Sequence, residues 1–492
     1  MWTREGLSNL VSEKLSGYAF VVVSNREPYV HSFSGRDIVA QVPASGLTVA
    51  LDPIMQACGG TWIAHGSGDA DREVVDQHNR VGVPPHEPRY SLKRVWLSKE
   101  EEDGYYYSVA NEALWPLSHI VYIRPFFNES DWNTYKKVNQ LFADNVIDAV
   151  GDRKAFIFVQ DYHLALLPRL IKEKNANVII AQFWHIPWPN PEAFRICPWQ
   201  EAILDGLLGN DLLGFHIRYH CNNFLDTVDR LIEARVDRDR YEVVRRGERT
   251  AVRPFPISVD FETISQHAQS EEVTVEMKSL RDRLGIDKEL IGMGMDRFDY
   301  TKGIPDRLRA VDLFLEKYPN YRGRVVFIQA GVPSRLHIAA YKRLNEEIDA
   351  VVEEVNWKYA LGQWKPIILL REHLSPTALM ALRRMASFCM VTSLHDGMNL
   401  VAKEFVASRF DEDGVLVLSR FTGAARELTD ALLVNPYDIE EMANKIEEAL
   451  TMPREEKRRR MQKMRQVVQE NNIYKWAADI ISELTKFEFG ER

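Results

Sequence analysis

Apolar residues along this chain fall into two alternating patterns. Short runs are almost continuously hydrophobic: "YAFVVVS" at 18–24, "AFIFVQ" at 155–160, "VIIAQFW" at 178–184, "RVVFIQA" at 324–330 and "GVLVLS" at 414–419. A strand buried on both faces reads this way, and burial on both faces belongs to parallel sheets. Between these runs, 304–317, 337–354, 376–386 and 439–450 repeat their apolar residues at helical spacing and predict amphipathic helices. Strand and helix in alternation predict doubly wound α/β units.

The alternation breaks near "VRPFPISVDF" at 252–261, where two prolines follow the charge-rich "DRDRYEVVRRGERT". This predicts two α/β domains, 18–255 and 256–470, each a Rossmann-like sheet facing a central cleft. Residues 1–17 form a separate amphipathic helix, with Leu7, Leu10, Val11 and Leu15 set among Glu5 and Glu13. Ligands of open α/β sheets bind outside the carboxyl ends of the strands, so chemistry is expected in the loops that follow strands.

Composition narrows the function. A chain of 492 residues with net charge −9 is unlike a nucleic-acid or acidic-membrane binder. The basic run Arg454–Arg460 precedes Met461, Met464, Val467 and Val468 at helical spacing, so it reads as a solvated helix face. Cys58, Cys197, Cys221 and Cys389 are far apart and form no CxxC pair, which suits a reducing cytoplasm. No apolar run approaches the roughly 20 residues of a membrane span. No membrane partner and no nucleic acid are expected.

Candidate chemistry follows the strands. In "SLHDGMNLVAKEF", 393–405, a helix starting after Gly397 offers the N–H groups of Met398, Asn399, Leu400 and Val401 to a diphosphate. Glu404 lies about 9 Å further along the helix rise, so Asp396 and Glu404 can serve a sugar and a ribose on either side. An equal alternative makes Asp396 the helix cap. In "MDRFDYTKGIPDR", Arg297 and Lys302 flank a glycine turn after a strand, where a departing diphosphate needs cations. Arg26 and Arg335 each sit just beyond a strand, suited to gripping a second phosphate bidentately. Tyr106, Trp115, Asp161 and His185 supply the rings and acid of a sugar site. "DEDGVLVL" at 411–418 lacks the leading strand of an aspartate-nucleophile phosphatase. His216, His220 and Cys221 lack a fourth zinc ligand. No metal site is expected.

Taken together, "VVVSNR", "NEALWP", "DYHL", "HIPWP", "DLLGFH", "DYTKG", "SR" at 334–335, "DGMNLVAKE" and "LVNPYD" resemble the trehalose-6-phosphate synthase family, the family 20 retaining glycosyltransferases of GT-B fold. The resemblance runs from about residue 18 to about 487. It implies that Arg297, Lys302 and 398–401 bind the diphosphate of a nucleoside diphosphate glucose such as UDP-glucose, and Glu404 its ribose. Ser45 and Gly46 belong to the loop over this donor; Asp396, Gly397 and His185 lie at the glucose. Arg26, Tyr106, Trp115, Asp161 and Arg335 hold glucose 6-phosphate. His185, Arg297, Lys302 and Asp396 are the implied catalytic set. The leaving diphosphate serves as base, with double displacement through Asp161 as the alternative. No cofactor is required, although Mg²⁺ can accompany the diphosphate. A homo-oligomer is expected, and the helix in 471–492 crosses back to the first domain.

Several positions depart from the family. Ser45-Gly46 replaces Gly-Gly, Gln160 replaces a His, and His395 replaces an Arg. "REPY" at 26–29 and "ESDW" at 129–132 resemble the glucosylglycerol-phosphate synthases, which use glycerol 3-phosphate. A sugar-phosphate sensor without turnover is the alternative from another class, disfavoured by the joint presence of Arg297, Lys302, Asp396 and Glu404.

Overall fold

The five hydrophobic runs are all strands in the computed structural model, which describes residues 2–43, 46–359 and 361–489, the side chains at 46–50 and 58 excepted. The chain divides into two units, Met1–Ile257 with Ile473–Arg492, and Ser258–Asn472. The passage between them lies in the proline-interrupted segment 252–261.

The first unit is built on a ten-stranded sheet. Its parallel part runs, in spatial order, Glu248–Pro254, Leu212–Phe215, Val178–Phe183, Ala155–Gln160, Ala19–Ser24, Thr61–His65 and Tyr90–Val95. The edges are antiparallel additions, Arg80–Val83 on one side and Glu242–Arg245 with Arg235–Asp237 on the other. Hydrophobic periodicity did not separate these short, half-polar edge strands from loops. The central strands Ala155–Gln160 and Val178–Phe183 are buried at every position, as their unbroken apolar runs require.

The second unit carries a six-stranded, wholly parallel sheet: Ile367–Leu370, Val325–Ala330, Leu290–Met295, Phe388–Val391, Val415–Ser419 and Leu432–Val434. The four predicted helices appear as Ile304–Lys317, Ala339–Tyr359, Pro376–Met385 and Ile439–Thr451. Phe314, Ile348, Val417 and Met442 lie in one buried cluster against the sheet. The basic run begins the helix Arg454–Glu470. Arg458 reaches Glu412, Arg459 and Arg460 reach Glu456, while Met461, Met464 and Val468 are buried.

Among the parallel strands, each sheet reverses direction in sequence order at one place. In the first unit the reversal falls between Ala19–Ser24 and Ala155–Gln160, and in the second between Leu290–Met295 and Phe388–Val391. At such a reversal the connections leave to opposite faces and open a crevice beyond the strand ends.

The helix Ile473–Leu484 completes the first unit. Trp476 is almost wholly buried, its ring centroid 5.2 Å from that of Phe183 and 5.9 Å from that of Phe158, and its Nε1 donates to Phe255 O at 3.2 Å. The Trp476→Ala variant is expected to lose about 3–5 kcal/mol of stability, read as a lowered urea midpoint for the first unit.

Candidate functional site

In the second unit, the chain leaves Met295 as "DRFDYTKG" and leaves Val391 as "TSLHDGMN", the two loops at the sheet reversal. Lys302 Nζ donates to Asp396 Oδ2 at 2.6 Å, so the two loops meet through a charged hydrogen bond. Burial disfavours the Lys302 ammonium, but Asp396 and Asp296 outweigh it and raise its pKa. Lys302 therefore stays a cation at neutral pH. Gly303 must be glycine: its φ is +61°, and a Cβ there would lie 2.5 Å from Thr392 O.

Beneath this pair lies Arg307, a residue that periodicity marks only as part of a helix. It is completely buried. Its guanidinium donates to Asp296 Oδ2 at 2.7 Å, Gln329 Oε1 at 2.9 Å, Thr392 Oγ1 at 2.9 Å and Lys302 O at 3.2 Å. Three strand ends are thereby joined to one cation. Gly294 leaves room for it, since a Cβ there would lie 2.4 Å from Arg307 Nη1. An arginine at the first or second turn of a helix that follows a charged strand-end loop is the sequence signal that would have found it.

Arg297 keeps about a third of its side chain exposed and donates to Asp299 Oδ2 at 3.1 Å. Arg335 follows the strand Val325–Ala330, has a φ of +50°, and donates to Tyr341 OH at 2.6 Å. Asp299 is fully buried. Burial works against its charge, yet Arg297, Arg335 and Lys302 hold its carboxyl far below the usual range.

The helix expected to begin after Gly397 starts later, as Leu400–Ser408. Asn399 is its cap, accepting from Ala402 N at 3.1 Å, so Asp396 is neither the cap nor adjacent to the helix. Met398 and Asn399 precede the helix; Met398 N points to Asp396 Oδ1 at 3.4 Å, and Asn399 has a φ of +83°. An extra turn of backbone is needed because Asp396 pairs with Thr422 as an isolated bridge before the helix can begin. Glu404 sits on the helix and accepts from Arg383 Nη2.

In the first unit, Arg26 and Asp161 follow the two strands at the reversal. Arg26 Nη2 donates to Tyr106 OH at 3.1 Å. Tyr106 lies on a π-helical segment, Asp103–Leu114, a rare winding often found at functional sites. Its ring stacks on His163 at 5.5 Å, His163 on Tyr162 at 4.1 Å, and Trp115 lies 5.9 Å from Tyr162. Trp115 is buried within this aromatic row. Asp161 has φ +69° and ψ 179°, a conformation that is close to glycine-only, and its Oδ1 accepts from His185 N at 3.1 Å. Arg26, Tyr106, Trp115, Asp161 and His185 are thus linked within the first unit, and Arg297, Lys302, Asp396, Glu404 and Arg335 belong to the second. Ser45 lies outside the described residues; Gly46 opens the helix Gly46–Cys58.

Gln160, the departure before Asp161, has a local purpose. Its Oε1 lies 2.9 Å from His185 Nε2 and orients the imidazole. Burial pushes the His185 pKa down to about 3. His185 is therefore a neutral hydrogen-bonding group at physiological pH rather than a charged acid. Among the described residues, no group of three or more His, Cys, Asp or Glu side chains is arranged to hold a metal ion.

The "REPY" segment continues from Arg26 into a buried charge knot. Glu27 accepts from Ser67 N at 2.8 Å and from Arg94 Nε at 2.8 Å. Arg94 also pairs with Asp71 at 2.7 Å and meets His31 Nδ1 at 2.8 Å. Two carboxylates share one guanidinium, while burial lowers the pKa of His31 and takes that of His65 to about 4. Burial and the neighbouring Asp71 raise Glu27 to about 7. Tyr29 ends the segment by donating to Asp52 at 3.2 Å, on the helix Gly46–Cys58.

Two doubly wound parallel sheets, together with close matches to solved glycosyltransferases, put the fold in the GT-B class. Residues 18–486 match the family model described as Glycosyltransferase family 20, and the chain belongs to that family. It is 38% identical over 481 residues to a trehalose-6-phosphate synthase of Mycolicibacterium vanbaalenii, covering 96% of this chain and 97% of the relative. It is 36% identical over 475 residues to a bifunctional trehalose-6-phosphate synthase/phosphatase of Thermoproteus tenax, and the matched region covers 94% of this chain and 63% of that relative. An E. coli structure bound with UDP-2-fluoro glucose matches at TM-score 0.85 and 32% identity, over 96% of this chain and 99% of that one. A Burkholderia xenovorans alpha,alpha-trehalose-phosphate synthase (UDP-forming) in complex with glucose-6-phosphate matches at TM-score 0.84 and 28% identity, over 95% and 99%.

Because Glu27 binds its proton more tightly in the fold than the ordinary 4.5 of an unfolded chain, it stabilises fully below about pH 4.5. That contribution is lost as pH rises through about 7. Urea midpoints measured at pH 5 and pH 8 are expected to differ less in Glu27→Gln than in the unaltered protein.

Proposed function

We propose that the protein transfers glucose from UDP-glucose to glucose 6-phosphate with retention at the anomeric carbon, forming trehalose 6-phosphate. The observation that carries this reading is the Lys302–Asp396 pair at the reversal of the second sheet, flanked by Arg297. An ammonium kept charged by Asp396 and a guanidinium about one-third exposed suit a diphosphate leaving group, whose charge grows as the glycosidic bond breaks. Glu404, held by Arg383, is assigned to the donor ribose, and Asp396 with Gly397 and His185 to the transferred glucose. Support for the donor and acceptor comes from relatives bound to UDP-2-fluoro glucose and to glucose-6-phosphate.

In this reading, Arg26 with Tyr106, Trp115 and Asp161 receives the acceptor, and Arg335 grips its phosphate. The acceptor hydroxyl attacks on the face that the diphosphate leaves, passing its proton to a departing phosphate oxygen. His185, neutral through burial, donates or accepts a hydrogen bond and does not gain charge in the reaction. Asp161 is engaged by the His185 backbone N–H and is not required as a nucleophile.

The glycerol 3-phosphate alternative rests on "REPY" and "ESDW". Glu129 accepts from Trp199 Nε1 at 3.2 Å, Asp131 from Ser108 Oγ at 2.7 Å, and Trp132 stacks on Trp199 at 4.6 Å. Of these contacts, Asp131 to Ser108 ties the helix bearing "ESDW" to the π-helical segment that carries Tyr106. A coupled assay of UDP release from UDP-glucose separates the readings. Release with glucose 6-phosphate and little with glycerol 3-phosphate is expected; the reverse order transfers the assignment to the smaller acceptor. Binding without release from either makes the protein a sensor.

The Arg297→Ala variant is expected to turn over about 100-fold more slowly, the scale of losing one transition-state donor, while circular dichroism still shows a folded protein. Steady-state kinetics on the same assay check it, and a near-normal rate removes Arg297 from the site. Arg335→Ala is expected to raise KM for glucose 6-phosphate while KM for UDP-glucose stays within about 2-fold, a change of under 0.5 kcal/mol.

A further inference from the structure

Arg297 and Arg335 follow different strands and, on the proposed function, serve different substrates. They nevertheless meet at one carboxylate. Asp299 Oδ2 accepts from Arg297 Nη2 at 3.1 Å and from Tyr341 OH at 2.9 Å, and lies 3.8 Å from Arg335 Nη1. Tyr341 OH in turn accepts from Arg335 Nη1 at 2.6 Å. The other oxygen, Oδ1, accepts from Thr301 N at 3.0 Å and Thr301 Oγ1 at 2.9 Å, which locks the carboxylate in place.

Asp299 and Tyr341 are both wholly buried. A buried carboxylate is costly unless its lone pairs are filled, and here both oxygens are saturated by donors. The loops that carry the two arginines are also zipped together in the backbone. Phe298 N donates to Val332 O at 3.0 Å, and a Cβ on Gly331 would lie 1.9 Å from Asp296 O. Arg335 is held at a positive φ of +50°, a conformation that needs support from its surroundings.

We propose that Asp299 and Tyr341 are positioning residues that tie Arg297 and Arg335 to a single buried anchor, fixing the diphosphate-binding and acceptor-phosphate-binding guanidinium groups relative to each other. Asp299 acts on both arginines. Tyr341 reaches Asp299 but donates nothing to Arg297, so its hydroxyl acts mainly on Arg335. The two residues are therefore separable by kinetics. This inference rests on the assignment of Arg297 to the donor and Arg335 to the acceptor.

The test is steady-state kinetics of Tyr341→Phe, Asp299→Asn and Arg335→Ala, with circular dichroism to confirm folding. Tyr341→Phe keeps the ring and is expected to raise KM for glucose 6-phosphate about 10-fold, the scale of one hydrogen bond to a charged group, with KM for UDP-glucose within about 2-fold. Asp299→Asn is expected to impair use of both substrates. If Tyr341→Phe changes neither constant, or shifts both equally, the anchor is structural and the proposal fails while Arg335→Ala still weakens the acceptor. If Arg335→Ala leaves acceptor KM unchanged, the acceptor assignment itself fails, and the proposal falls with it. Should Asp299→Asn not fold, Tyr341→Phe alone decides.

Discussion

The completely buried guanidinium of Arg307 holds the second unit's site together. A cation in the interior must have its five donors satisfied, and it finds acceptors at the ends of three neighbouring strands: Asp296, Gln329 and Thr392. It also takes the carbonyl of Lys302. The loops that bear Lys302 and Asp396 are therefore set by the same contact that satisfies a buried charge. Removing one partner of such a network leaves an unpaired charge, which costs about 3–5 kcal/mol.

Above Arg307, acids and bases are interleaved. Asp296, Asp299 and Asp396 face Arg297, Lys302, Arg307 and Arg335, which leaves one more cation than carboxylate. The carboxylates favour the charged form of Lys302 and hold all four cations in fixed positions without neutralising the group as a whole. On the proposed function, an arriving diphosphate would meet a preorganised field and do little work in arranging it. The first unit is organised differently. Its row of Tyr106, His163, Tyr162 and Trp115 packs ring on ring and is buried beyond the half-buried Tyr106, and burial keeps His185 neutral.

Three of the nine non-glycine residues with positive φ among the described residues lie at these sites. Asp161, Arg335 and Asn399 all have positive φ without being glycine. Each lies in a loop after a strand at or beside a sheet reversal, where the chain must turn sharply to bring a side chain to the strand ends. Hydrogen bonds over-determine each one: His185 N on Asp161, Tyr341 on Arg335, Ala402 N on Asn399. The cost of the conformation is borne by the surrounding packing.

The parallel α/β class was legible because buried parallel strands must be apolar at every position, and five such runs stand out in this sequence. The strand-end location of Arg26, Asp161, Arg297, Lys302 and Arg335 followed from it. The antiparallel edge strands were not legible, since half-exposed strands of three or four residues share their composition with loops. Nor was the cap of Leu400–Ser408: the sequence puts the helix start after Gly397 with Asp396 as the candidate cap, whereas Asn399 caps it and Asp396 pairs with Thr422. The sequence by itself determined which chemical groups lie at strand ends, because periodicity dictates burial and burial dictates the layer. Tertiary structure alone decided which of them touch: the Lys302–Asp396 pair spans 94 positions, Arg307 to Thr392 spans 85, and Arg26 to Tyr106 spans 80. Contacts at that separation depend on strand order, and no local pattern of residues encodes strand order.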